Sequence, residues 1–505
     1  MGRKTNSADS RLAPALWERL LISPIQLLTD LLVSCIRSGR PVSDPNTVRI
    51  GKSPNLFRPH EIDEIHLELS KLNRGVYLAG KSGSGKTSLI LLLIIALVQI
   101  GMGFTVIDVH GDLSRMILSY LASTCTNAGD IARVAARLVW IEPFNSVYAP
   151  RINLLRARSK EFAFVDAVEL LAIFKRLWKD VTWGPRMEEV LKNTLWTLAL
   201  SSRPLIEAPL LLTKDEFRNH VISNLTEPDL LFYWNTRFAS FSDRMKPMVT
   251  EPVANRISIL TEGPLMRHLA AQKESRIDFR EILDRQRWCI INLSKGLLSQ
   301  NASLLGSLFT HKIKSAAMSR VDIEESKRVL APFFVDEFQN FVGDNYEEIL
   351  SEARKFRLAL ILAHQNLAQL QPSMRAAIFG NIGTMLLFRL GHHDIREFAQ
   401  EFNSTSQTLV RQTLSTLQVA EAVKREDDGS FRKIEIDRLS RFTTDESVAR
   451  ELLQACYDRY YRPRAEIDAE LIRTRSASAQ PSVVIYNTPK SAGKSPSNAT
   501  DEVSR

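Results

Sequence analysis

Eight consecutive residues, Gly80-Lys81-Ser82-Gly83-Ser84-Gly85-Lys86-Thr87, fit the pattern G-x-x-x-x-G-K-[ST] without a gap. Glycines let a backbone curl tightly around phosphate, and the N–H groups at the start of a helix face the anion. In such a loop Lys86 reaches the β- and γ-phosphates and the Thr87 hydroxyl ligates Mg²⁺, with Ser88 continuing the binding segment. Context separates this from a chance Gly/Ser-rich turn. An apolar run, Gly75 to Ala79, precedes it, and a helix-compatible run, Leu89 to Ile100, follows. The stretch reads as a nucleoside-triphosphate site.

A second group is Phe333-Phe334-Val335-Asp336-Glu337, an apolar run ending in two acids. Taken alone it is an ordinary strand terminus. Beside a phosphate loop, Asp336 would hold the Mg²⁺ shell through water, and Glu337 would orient and deprotonate an attacking water. Leu358 to Ala363 followed by His364-Gln365 is another strand ending in polar groups. There Gln365 either senses the γ-phosphate or merely caps the strand. Asp108, His110 and Asp112 fall just beyond the run Phe104 to Val109, where they line the nucleotide pocket or serve a turn built on Gly111. A metal set from one histidine and two acids has less support. No H-R-D, D-F-G, N-K-x-D or ATP-binding-cassette signature occurs, which argues against protein phosphorylation and guanine reading.

Elements must bring these groups together. Strand-like runs recur at Gly75–Ala79, Phe104–Val109, Arg137–Ile141, Trp288–Leu293, Pro332–Val335, Leu358–Ala363 and Thr384–Leu390. Most are short, continuous and β-branched or aromatic, as strands covered on both faces of a parallel sheet should be. About 250 residues separate Lys86 from Asp336, too many for one crossover, so a separate unit is inserted. The helical periodicity between Ser159 and Lys273 supplies it. The expected fold class is α/β: a RecA-like P-loop NTPase core with a mainly parallel sheet, plus an inserted all-α domain. The divisions are a helical N-terminal arm and linker (1–50), the first part of the core (51–158), the insertion (159–273), the second part of the core (274–465) and a mostly disordered tail (466–505). Within the second part, a helix from Gln407 gives way to a hairpin around Asp427-Asp428-Gly429.

At 505 residues the chain is too long for one simple core. Its formal charge of +9 suits a polyanionic partner but equally an inert basic surface. Cys35, Cys125, Cys289 and Cys456 are too scattered for a disulfide framework or a zinc site and read as reduced thiols. The apolar stretch Leu20–Ile36 is broken by Pro24 and Asp30, and no run reaches the ~20 residues of a membrane span. No integral membrane segment and a cytoplasmic location are expected.

The ordered set GKSGSGKT, VIDVHGD, a long helical insert, FFVDEFQNF, LALILAHQ and NIGTMLLFRLGHHD resembles the HerA/FtsK superfamily, most closely the TraG/TraD-like coupling ATPases of conjugation and type IV secretion. Trp183 to Glu188, Phe232-Tyr233-Trp234 and Trp288 to Gly296 add to the likeness, which covers roughly residues 48–465. The resemblance implies a RecA-like motor that forms a ring, usually a hexamer, and draws DNA through a central channel using ATP and Mg²⁺. It implies Lys86, Thr87 and the acidic pair in the nucleotide site, Gln365 as coupling sensor, and an arginine acting across the subunit boundary. Arg389 is the candidate for that arginine, with Arg375 and Arg186 as rivals and an ordinary salt bridge as the alternative for each. A relaxase, a nuclease or the secretion machinery would be its partner. The chain departs from the family in lacking N-terminal transmembrane helices, and residues 1–50 are too short for the β-barrel of HerA itself.

Two other readings stay open: a regulatory ATPase whose nucleotide state controls partner assembly, and a motor that moves protein rather than DNA. No Lys/Arg stripe with interleaved aromatics marks a channel.

Overall fold

The seven apolar runs form one parallel block. In the computed structural model, residues 46–479 are described, apart from 55–60, 179–182, 299, 342–345, 403–404, 427, 440–441 and 443–444. The strands in chain order are β1 (Thr47–Pro54), β2 (Ile62–Glu68), β3 (Val76–Ala79), β4 (Phe104–Asp108), β5 (Leu138–Ile141), β6 (Tyr148–Pro150), β7 (Trp288–Asn292), β8 (Ala331–Val335), β9 (Leu358–His364), β10 (Thr384–Leu387), β11 (Glu421–Arg425), β12 (Phe431–Ile436) and β13 (Tyr461–Pro463). Eleven of them make one sheet in the order β2-β1-β12-β11-β10-β3-β9-β8-β4-β7-β5, and β13 pairs with β6. From β10 to β5 every pairing is parallel; from β10 out to β2 every pairing is antiparallel.

The parallel strands are buried on both faces, which explains their largely apolar sequences. Because side chains alternate along a strand, Tyr77, Ile107, Phe333 and Leu362 enter one core, while Leu78, Val106, Phe334 and Ile361 enter the other. The second core takes the helix Lys86–Gln99, whose run Leu89 to Leu97 is buried throughout. The first core takes the helical stretch between β6 and β7, where every described element is helical. It includes Lys160–Leu177, Pro185–Leu200 and Met245–Glu262 and shares one continuous apolar cluster with the sheet face. The helix Gln300–Met318 lies on the same side.

Register places the site. Ala79 at the end of β3 pairs with His364 of β9 and with Leu387 of β10, and Val335 of β8 pairs with Leu362 and Ile107. The segments leaving β3, β8, β9 and β10 therefore emerge along one edge, as the carboxyl ends of parallel strands must.

Two sequence boundaries need correction. β1 begins at Thr47, inside the span assigned to arm and linker, because Val48 and Ile50 alternate with polar residues and bury against β2 and β12. The tail assigned as disordered from 466 is helical over Arg464–Ala479. Arg464 donates to the carbonyls of Pro143 (3.0 Å) and Tyr148 (3.5 Å), Ile467 is buried, and Asp468 pairs with Arg267 (3.1 Å) and His268 (3.0 Å). The arm Leu16–Arg37 and residues 480–505 lie outside the described residues. The expected hairpin is present as β11 and β12.

Candidate nucleotide site

Residues 80–85 run from β3 straight into the helix Lys86–Gln99. Gly83 (φ +69°) and Gly85 (φ +113°) take left-handed backbone, which side chains with a Cβ disfavour. A Cβ at Gly80 would come within 2.6 Å of the Phe388 Cβ, so the loop must be bare there to pass β10. Backbone bonds tie it down on every side: Gly80 N donates to His364 O (3.1 Å), Lys81 N to Arg389 O (2.8 Å), and Ala420 N to Ser84 O (3.0 Å). Lys81, Ser82 and Gly83 stay exposed, and Thr87 and Ser88 are half-buried in the first helical turn.

Lys86 lies back across the loop. Its Nζ donates to the carbonyls of Gly80 (2.6 Å) and Lys81 (3.2 Å). Burial lowers its pKa, and Glu337 and Asp336 oppose that shift. The Ser84 hydroxyl is buried with no hydrogen-bond partner among the described residues. A curled loop leading into a helix N-terminus, an ammonium bonded to loop carbonyls and an orphaned hydroxyl together fit a polyphosphate.

The acids stand opposite. Asp336 N donates to Ile107 O (3.2 Å), and its carboxyl is pushed up to about 7, first by burial and then by the charges of Asp108 and Glu337. A buried carboxyl among like charges has a strong tendency to bind a cation in place of its proton, which suits Mg²⁺. Glu337 holds left-handed backbone (φ 52°, ψ 46°), rare for a residue with a side chain and an indicator of strain at a functional turn. Its N–H donates to Asp336 Oδ1 (3.0 Å). Its carboxylate accepts from Gln365 Nε2 and from Gln339 Nε2 (2.6 Å). Gln365 thus reaches the acid directly.

Asp108 serves the turn. It is buried, and its oxygens accept from the N–H groups of His110 (3.0 Å), Gly111 (2.9 Å) and Ser114 (2.7 Å), starting the helix Asp112–Ser123. His110 and Asp112 are exposed, and Asp112 pairs with Arg115. Among the described residues no group of three or more His, Cys, Asp or Glu side chains is placed to hold a metal ion.

Arg389 is exposed beside the phosphate loop of its own chain, to which its carbonyl is bonded. Arg375 is half-buried, donating to Leu370 O (3.2 Å) and pairing with Glu397 (3.3 Å). Arg186 is exposed at the start of the helix Pro185–Leu200, in the helical stretch between β6 and β7. Sequence reasoning missed two groups: Gln339, and the buried pair in which the Tyr77 hydroxyl and His364 Nδ1 lie 2.8 Å apart beneath the loop. Burial pushes the His364 imidazole down to about 3.

A phosphate loop after a central parallel strand, with an acidic pair two strands away and a glutamine between them, defines a RecA-like P-loop ATPase core. Residues 331–433 match the family model described as the TraM recognition site of TraD and TraG. The fold is similar to VirB4 of Thermoanaerobacter pseudethanolicus, with a TM-score of 0.54 at 14% identity over 79% of this chain and 98% of that one. It is also similar to the plasmid coupling protein TrwB in complex with a non-hydrolysable ATP analogue (TM-score 0.53, 13% identity, 75% of this chain and 89% of that one). TrwB in complex with ADP and Mg²⁺ gives 0.50 at 13% identity, over 76% and 89% of the chains. No curated protein is a significant match by sequence. Among the described residues no helix is long and apolar enough to cross a membrane.

Proposed function

We propose that this chain is the ATP-hydrolysing subunit of a homo-hexameric ring motor, in which neighbouring copies complete each site, that binds and translocates DNA in the cytoplasm. The observation that carries the hydrolytic part is the meeting of Glu337, Gln365 and the phosphate loop at one sheet edge. The likeness to coupling proteins supports the DNA part.

In this reading Gly80 to Ser88 bind the phosphates, and Thr87 and Asp336 hold Mg²⁺, which when bound neutralises charge on the β- and γ-phosphates. Lys86 leaves the loop carbonyls for phosphate oxygens. Glu337 takes the proton of the attacking water as its oxygen bonds to the γ-phosphorus. The bond to the bridging oxygen breaks, and ADP departs with that electron pair. Gln365, already on the Glu337 carboxylate, reports whether the γ-phosphate is present. Arg389 is offered as the arginine that meets phosphate, its exposure leaving it accessible to a nucleotide. The wider partner is a relaxase, a nuclease or a secretion complex.

The test is ATP-driven displacement of streptavidin from biotin-ended DNA. Displacement by the wild type that Lys86→Ala abolishes supports translocation. Hydrolysis without displacement on any DNA would point to an ATPase that controls partner assembly instead.

A further inference from the structure

The Glu337 carboxylate is held from two sides. Gln365 approaches one oxygen from the end of β9, and Gln339 approaches the other from the same turn as the acid, two residues on, at 2.6 Å. The two amides differ in what else they must do. In the hydrolytic reading above, Gln365 follows the γ-phosphate, so its hold on Glu337 changes through the cycle. Gln339 sits in the short 3-10 turn Phe338–Asn340, and that turn is fastened in place. Asn340 Nδ2 donates back to Glu337 O (2.9 Å), and Ser303 Oγ donates to Asn340 O (2.5 Å). Arg176 Nη1 donates to Phe341 O (2.9 Å).

We infer that Gln339 is a positioning residue for hydrolysis, the fixed contact that keeps Glu337 aimed while Gln365 exchanges partners. Its orientation is set by charge: only the NH₂ end can face a carboxylate, which leaves Oε1 as the far atom. That oxygen is buried and has no partner among the described residues. A donor on the base and an unmet acceptor beside it are the two contacts that orient a water for attack, one fixing the base and the other taking a water proton. The backbone strain at Glu337 makes such a clamp necessary, because a residue in left-handed conformation keeps its geometry only when its surroundings over-determine it. This inference rests on the hydrolytic reading above.

The test compares wild type, Gln339→Met, Glu337→Gln and the double variant in steady-state and single-turnover ATP hydrolysis, with binding of a fluorescent ATP analogue and thermal melting measured alongside. Methionine keeps the shape and apolar stem but can neither donate nor accept as the amide does. The expected result is a kcat at least tenfold lower in Gln339→Met, with KM and analogue affinity within twofold of wild type and melting unchanged. In the Glu337→Gln background the same change should cost nothing further. A kcat equal to wild type, or an equal loss in both backgrounds, would overturn the inference while leaving the hydrolytic reading intact. A wild type that binds ATP but never hydrolyses it, with or without DNA, would overturn both.

Discussion

Arg176, on a helix of the inserted stretch, donates to the carbonyl of Phe341, four residues after Glu337, at 2.9 Å, and to Ser307 Oγ at 2.5 Å. The turn that aims Glu337 is therefore bolted to two helices that come from elsewhere in the chain: Lys160–Leu177 and Gln300–Met318. A shift of either helix is transmitted to the acid through hydrogen bonds rather than through loose packing. Replacing Arg176 with Met removes both donors, and the expected outcome is a severalfold fall in kcat with ATP affinity unchanged. Parallel measurement of kcat and of nucleotide binding checks it; equal losses in both would indicate general unfolding of the site.

The same junction is close-packed. A Cβ added at Gly306 would stand 2.0 Å from the Phe341 ring. Gly306→Ala should lower stability by about 1–3 kcal/mol, the usual range for overpacking, in spite of alanine's better helix propensity. Chemical denaturation of the two proteins measures it, and an alanine variant as stable as wild type would show that the ring has room to move.

Glu337→Gln keeps the size and the hydrogen-bonding reach of the acid but cannot accept a water's proton. Loss of a general base lowers rates by ~10²–10⁴-fold. The expected variant binds MgATP with wild-type affinity and hydrolyses it slower by at least the lower figure. Undiminished turnover would move the base elsewhere.

His364 gives a pH dependence whose sign is fixed. The unfolded imidazole takes up its proton near pH ~6.5, whereas burial, followed by the charges of Lys86 and Arg375, holds the folded one down to about 3. Between these values the unfolded chain binds the extra proton, so stability falls as pH falls, by at most about 1.4 kcal/mol per pH unit. His364→Gln removes that contribution. Urea unfolding at pH 5 and pH 7 should show a smaller difference for the variant than for wild type.

How much was legible follows from which forces act locally. The seven parallel strands could be read because burial on both faces writes itself into most of them as a largely apolar run, Leu358 to Ala363 being an example. The phosphate loop could be read because its glycines are needed where they stand. β1 and β2 could not, since one face of each is polar and Gly51 and Pro54 punctuate the pattern. The helix Arg464–Ala479 has no strong periodicity of its own and depends on partners about 200 residues away, such as His268. Gln339 was unreadable for a different reason: its contact with Glu337 exists only because the backbone at Glu337 turns left-handed, which no residue type there announces. Asp108, by its place after a strand, read either as a pocket residue or as part of a turn built on Gly111; its oxygens are taken by the backbone N–H groups of that turn.

The most direct test of the account is steady-state ATP hydrolysis at low salt with no DNA, single-stranded DNA or double-stranded DNA, with Lys86→Ala and Glu337→Gln alongside. The account predicts strong stimulation by at least one form of DNA, abolished by either substitution. Hydrolysis that is robust, dependent on Lys86 and Glu337, and indifferent to every DNA supplied would contradict it.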